Sequence, residues 1–168
     1  MKNILVSLLL SFPIILCANP KPFGLEIGKA TITDVKDNYS TSSLGINKYS
    51  NGPMYELAGI EMDGLEEITI IFDKSGKLAA VLTVFRKSKF DFLLDSLSKK
   101  YELYSKKVPF VGSKSATLVD GDVEITLDAP HMSFKMKLNY ISNSLLQKYQ
   151  QESTAENQKQ REREQAQL

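Results

Sequence analysis

Residues 67–85 run from Glu67 through Ile68, Thr69, Ile70, Ile71 and Phe72 to a break at Asp73-Lys74-Ser75-Gly76. They then continue from Lys77 through Leu78, Ala79, Ala80, Val81, Leu82, Thr83 and Val84 to Phe85. The first run is rich in β-branched residues and the second is almost wholly apolar, which predicts two strands. Asp73 to Gly76 is a hairpin-turn sequence with a glycine where a tight turn needs positive φ, so the strands form a hairpin. Apolar runs of this kind sit in the middle of a sheet with one face covered by a helix.

The hairpin is flanked by two helix signals. Upstream, Thr31 followed by Asp34 is a capping-box arrangement, and Ile32, Val35 and Tyr39 then fall on one helical face, with Gly28 as a turn before it. Downstream, Ser88 and Asp91 repeat the cap, and Phe90, Leu93, Leu94, Leu97 and Tyr101 form a 3.6-residue stripe over 89–101. Lys99 and Lys100 follow in its last turn, where cations complement the helix dipole. Residues 40–53 are rich in Ser, Asn and Gly and read as a loop, and residues 55–60 as a weak strand. Further strands are predicted over 102–108, 116–119, 123–127 and 133–140. Asp120-Gly121-Asp122 makes a hairpin turn between the third and second of these from the end. In the last strand Phe134, Met136, Leu138 and Tyr140 point one way, and Lys135, Lys137 and Asn139 the other.

The fold class expected is therefore α+β: a two-layer sandwich, an antiparallel sheet with helices on one face, in a possible tandem helix–three-strand arrangement. Both strand sets open with Tyr-Glu-Leu, at Tyr55 and Tyr101. Beyond 141–149, where Ile141, Leu145, Leu146 and Tyr149 can dock one helical stretch, residues 150–167 hold no Val, Ile, Leu, Met or aromatic residue. Such a tail protrudes into solvent, disordered or helical through its charge pairs, and without apolar heptads it makes no coiled coil.

The amino terminus reads as an export signal. Lys2 supplies the positive charge, and residues 4–17 are apolar apart from Ser7, Ser11 and Pro13. That run of about 14 residues suits a signal peptide and is too short to span a bilayer. Ala18 offers a small residue for cleavage, so residues 1–18 are assigned to the leader, 19–149 to one α+β domain and 150–168 to the tail. Cys17 ends the apolar run and is a candidate lipidation site, although Leu16 stands where such signals carry Gly or Ala. The destination is periplasmic or secreted, with a membrane partner only if Cys17 carries lipid. The chain's one cysteine lies in this leader, so the mature domain has no disulfide and rests on its core.

Chain length and composition narrow the function further. The chain of 168 residues has a net charge of +1, which favours neither nucleic acid nor an anionic membrane. One His and one Cys rule out a site built from several such ligands, and no cofactor is expected. His131, with Asp120, Asp122 and Asp128 near in sequence, admits a weak metal or acid–base site or a plain inter-strand turn. Asp120-Gly121-Asp122 lacks the other ligands of a calcium loop, and Gly112-Ser113-Lys114-Ser115 lacks the Gly-Lys pair of a phosphate loop. No Gly-x-Ser-x-Gly is present. Glu66 and Glu67, adjacent in a strand, are expected on opposite faces and not as a carboxylate pair.

Gly28, Thr31, Asp34 and Val35, the strand over 68–72, the Gly76 turn and the strand from Leu78 follow in an order that resembles a group of bacterial envelope modules. These are the β-lactamase-inhibitor-protein-like fold and the small outer-membrane lipoproteins of the SmpA/OmlA type. The resemblance covers residues 28–85, with an echo over 88–140; the paired cysteines of the inhibitors are absent. It implies that the exposed face of the sheet, or a loop beside it, binds another protein. Two loops carry large apolar residues: Val108, Phe110 and Val111 in one, His131 and Met132 in the other. Phe110, Val111, His131 and Met132 either contact a partner or, in the case of Phe110 and Met132, plug the end of the core. The function expected is an exported, non-enzymatic protein-binding module, an envelope-assembly factor or an inhibitor of a secreted enzyme. The alternative is a small hydrolase or ligand-binding protein with a minimal carboxylate and His site.

Overall fold

Eight antiparallel strands form one open sheet in the order β1-β2-β3-β4-β8-β7-β6-β5, accompanied by three α-helices. The computed structural model describes residues 19–167; the leader and Cys17 lie outside the described residues. The elements are α1 (Ile32–Asn38), β1 (Ser40–Ile46), β2 (Asn51–Ala58), β3 (Leu65–Asp73), β4 (Leu78–Arg86), α2 (Phe90–Ser98), β5 (Glu102–Lys107), β6 (Lys114–Asp120), β7 (Val123–Ala129), β8 (Lys135–Ser142) and α3 (Asn143–Gln165). The fold is thus α+β. Each of the first two helices is followed by four strands, not three, and β4 and β8 pair at the centre from Ala80↔Ile141 to Arg86↔Lys135. Tyr55 lies inside the second strand after α1, whereas Tyr101 precedes the first strand after α2, so the shared Tyr-Glu-Leu does not mark equivalent positions.

The β3–β4 hairpin forms as its sequence dictates. Asp73 Oδ1 accepts from the amides of Ser75 (2.8 Å) and Lys77 (3.0 Å) and from the Ser75 hydroxyl (2.6 Å), and Gly76 takes φ 78°. At α1, Thr31 and Asp34 close a reciprocal capping box. Three expectations are corrected. Residues 40–46, read as loop, are the edge strand β1. At α2 no side chain caps the helix: a 3₁₀ turn over Lys87–Lys89 leads into it, and Ser88 does not serve as cap. Glu66 and Glu67 both reach the Lys135 ammonium, at 2.9 and 3.6 Å, because the β3–β4 register shifts between Leu65 and Glu67 and breaks the alternation that would separate them.

The core gathers on one face of the sheet. Ile68, Ile70 and Phe72 of β3, Val81 and Phe85 of β4, Ile125 and Leu127 of β7, and Met136, Leu138 and Tyr140 of β8 are buried there with Val35 of α1 and Phe90, Leu93, Leu94 and Leu97 of α2. Burying side chains of this size contributes about 1.5–3 kcal/mol each before entropy is counted. Ile71, one residue out of phase with Ile70 and Phe72, belongs instead to a second cluster with Ala79, Ala80 and Leu145. Leu145 of α3 thus packs in a cluster separate from the one that holds Val35 of α1 and the α2 stripe. Tyr149 meets Tyr49 edge to face at 5.0 Å, and Lys48 pairs with Glu156 at 3.0 Å. From Gln150 onward nearly every residue of this helix is exposed.

Candidate functional site

Two hairpin connections emerge at one end of the sheet. β5 pairs with β6 up to Lys107↔Ser115, and β7 pairs with β8 from Asp128↔Lys137, while Lys114↔Ala129 joins the two hairpins. The connections over 108–113 and 130–134 consequently lie side by side. The His131 amide donates to Ser113 Oγ at 3.1 Å and ties one to the other. Lys87 holds the second connection from the neighbouring turn: its amide donates to the Phe134 carbonyl at 2.7 Å, and its ammonium donates to the carbonyls of Pro130 and His131.

This end carries a concentrated apolar surface. Phe110 is fully exposed, Phe134 is 93% and Met132 91% exposed, and Val111 is 69% exposed. Phe110 and Met132 therefore do not plug the core. Phe134 corrects a second expectation: it does not share the inward face of Met136, Leu138 and Tyr140. Ser133 Oγ accepts from the Lys135 amide (3.0 Å) and donates to the Lys135 carbonyl (2.9 Å), a local turn that starts the strand one residue after Phe134. Phe134 and Lys87 are the members of this site that sequence reading missed. The turn-forming Ser133 was the available signal for the first, and nothing local marks the second.

Lysines border the apolar side chains. Lys106 and Lys107 end β5, and Lys114 lies 3.2 Å from Asp91 with its ammonium 5.4 Å from the Phe90 ring centre. Beside Phe134 an open cleft of about 540 Å³ is lined by Arg86, Lys87, Lys114 and Lys135 together with Glu66, Asp91 and two serines. The Glu66 carboxylate beside Lys135 raises the lysine's pKa above its ordinary value, with Glu67 adding to it, so this ammonium stays charged.

Two of the three carboxylates near His131 in sequence do not converge on it. Asp120 and Asp122 flank the β6–β7 turn, at the other end of β7 from His131. A strand of this length at ~3.4 Å per residue separates them by roughly 20 Å. Among the described residues no group of three His, Cys, Asp or Glu side chains is close enough to hold a metal ion. No family model, curated protein or solved structure matches this chain.

Proposed function

We propose that this chain is an exported, non-enzymatic module that binds another protein through Phe110, Val111, Met132 and Phe134. The observation that carries the reading is four large apolar side chains, three of them more than nine-tenths exposed, gathered on two connections at one end of the sheet. A water-exposed apolar patch of this kind is unfavourable for an isolated protein and becomes favourable once a partner covers it. Aromatic and methionine side chains are those that dominate protein contacts. The border of Lys87, Lys106 and Lys107 favours an acidic rim on the partner. The arrangement suits an envelope-assembly factor or an inhibitor that inserts a loop into a secreted enzyme. Two helix-plus-four-strand halves meeting at β4 and β8 support a tandem origin, with α1 and α2 covering one face. Export rests on the leader, and mass spectrometry of the mature amino terminus distinguishes cleavage after Ala18 from lipid on Cys17.

The test is a comparison of the wild-type protein with a Phe110→Ser, Met132→Ser, Phe134→Ser variant in affinity capture from an envelope extract. The wild-type protein is expected to retain a defined partner that the variant loses. Stability should hold within about 0.5 kcal/mol, since these side chains are already exposed. Recovery of the same proteins by both would refute the reading. So would a catalysed turnover abolished by Asp128→Ala or His131→Ala, which would establish the hydrolase alternative, or binding of the wild-type protein to anionic vesicles in place of any protein.

A further inference from the structure

A second concavity, of about 340 Å³, opens on the helical face between α2 and the amino-terminal turn. Its size falls at the lower end of the roughly 300–1,000 Å³ usual for small-molecule sites. Phe85 of β4 and Leu138 and Tyr140 of β8 floor it, Leu93 and Leu97 of α2 form one wall, and Phe23 and Met62 belong to the other side.

Three features set this cleft apart from a packing gap. First, its charged lining is of one sign: Lys21 and Lys100 contribute, and among the described residues no carboxylate does. Second, Tyr101 and Tyr140 meet edge to face at 6.5 Å, and both phenols belong to the lining of the cleft. Third, Phe23 is held at φ 50°, a left-handed conformation uncommon for a bulky residue, with the Tyr39 hydroxyl donating to its carbonyl at 2.5 Å. Backbone strain of this kind gathers at ligand sites.

We propose that this cleft binds a medium-chain anionic amphiphile, with its apolar chain over Phe85 and Leu138 and its carboxylate toward Lys21 and Lys100. At about 30 Å³ for each water-sized group, the volume admits on the order of ten methylenes. Burial pushes the Tyr140 hydroxyl's pKa upward, so it remains a phenol able to donate to an anion. This site is separate from the apolar loop end and does not depend on it.

Decanoate, kept below its self-association concentration, is the probe. Amide chemical shifts and calorimetry follow its titration into the purified protein, with decanol and decyltrimethylammonium as comparisons. Saturable shifts are expected in α2 and residues 21–24, with decanoate bound at least about tenfold more tightly than either comparison. Ser96→Phe should abolish binding by filling the cleft. Lys21→Glu with Lys100→Glu should weaken decanoate about tenfold and leave decanol unchanged; both lysines are exposed, so this variant keeps the test available if Ser96→Phe fails to fold. The proposal is overturned by an absence of saturable shifts, by shifts centred on Phe110 and Met132, or by equal binding of all three probes.

Discussion

Gly52 is the position where a single added methyl group should damage this fold most. It is buried, and its backbone does not adopt positive φ, so close approach rather than dihedral freedom demands glycine there. A Cβ built on it would stand 2.1 Å from the Phe72 carbonyl oxygen and 2.5 Å from that of Asp73. Both obstacles are backbone of the central hairpin and cannot rotate aside. Pro53 follows and restricts how Gly52 can adjust. In Gly52→Ala the start of β2 must lift from the end of β3. That breaks the Asn51↔Asp73 pairing, the 2.9 Å bond from the Asn47 amide to the Gly52 carbonyl and the 3.1 Å bond from the Gly52 amide to Ser50 Oγ. Three bonds at about 1 kcal/mol each give a loss of about 3 kcal/mol, a large part of the roughly 5–15 kcal/mol that holds a domain together. Gly45→Ala is the matched control: φ is 90° but the added methyl meets nothing within 4 Å, so its cost is backbone strain of about 1–2 kcal/mol. Urea unfolding followed by far-UV circular dichroism measures both, since the chain has no tryptophan to report. A Gly52→Ala protein within about 0.5 kcal/mol of wild type, or one less affected than Gly45→Ala, would refute the close-approach argument.

Two further outcomes follow from single hydrogen-bond groups. Thr83 is buried and its hydroxyl donates to the Leu138 carbonyl at 2.5 Å across the β4–β8 junction; Thr83→Val keeps the shape, removes the bond and should lower stability by about 1 kcal/mol in the same urea assay, whereas an unchanged midpoint would mean the bond contributes nothing. At Asp73, partial burial pushes the pKa up, but the Ser75 hydroxyl and the Lys77 and Ser75 amides outweigh it and hold the carboxyl below its ordinary 3.8. A depressed folded pKa means that the ionised form's stabilisation is complete above 3.8 and is lost as pH falls through the depressed value. Asp73→Asn, which keeps an acceptor without the charge, should be about 1 kcal/mol less stable than wild type near neutral pH, with the difference closing in acid; a pH-independent difference would count against the charge.

What was legible in the sequence was whatever short-range chemistry decides. Asp73, Ser75 and Gly76 make their turn with one another, Thr31 and Asp34 cap α1 between themselves, and the stripe from Phe90 to Leu97 needs only one helix to be seen. β1 escaped because an edge strand exposed along Ser40–Ile46 has no buried face to impose alternation. The Ser88 cap failed for a tertiary reason: Lys87 is bound through its amide and ammonium to the β7–β8 connection, and that contact favours a 3₁₀ turn where a capped helix was expected. Phe134 was assigned inward by extending period two one residue past the Ser133 turn. The cleft was invisible because Phe23, Met62, Leu93 and Leu138 lie far apart in sequence, and each alone reads as an ordinary core residue.

The two sheet edges bear on where this protein meets others. An open edge strand invites strand addition, and both edges here are blunted. β5 carries Glu102, Lys106 and Lys107, charges that discourage pairing. β1 carries no charge, but its register with β2 shifts between Ser43 and Gly45, and a bulge there interrupts the flat hydrogen-bonding ladder that another strand would need. Its exposed apolar residues, Leu44 at 46% and Ile46 at 66%, also offer less surface than Phe110, Met132 and Phe134. No such device protects the loop end, where the two connections are tied together by His131 and Ser113 and fixed from behind by Lys87. Holding apolar side chains outward on a preorganised base lowers the ordering cost of covering them. The loop end, rather than either edge, is therefore the surface on which the proposed protein contact is best sought.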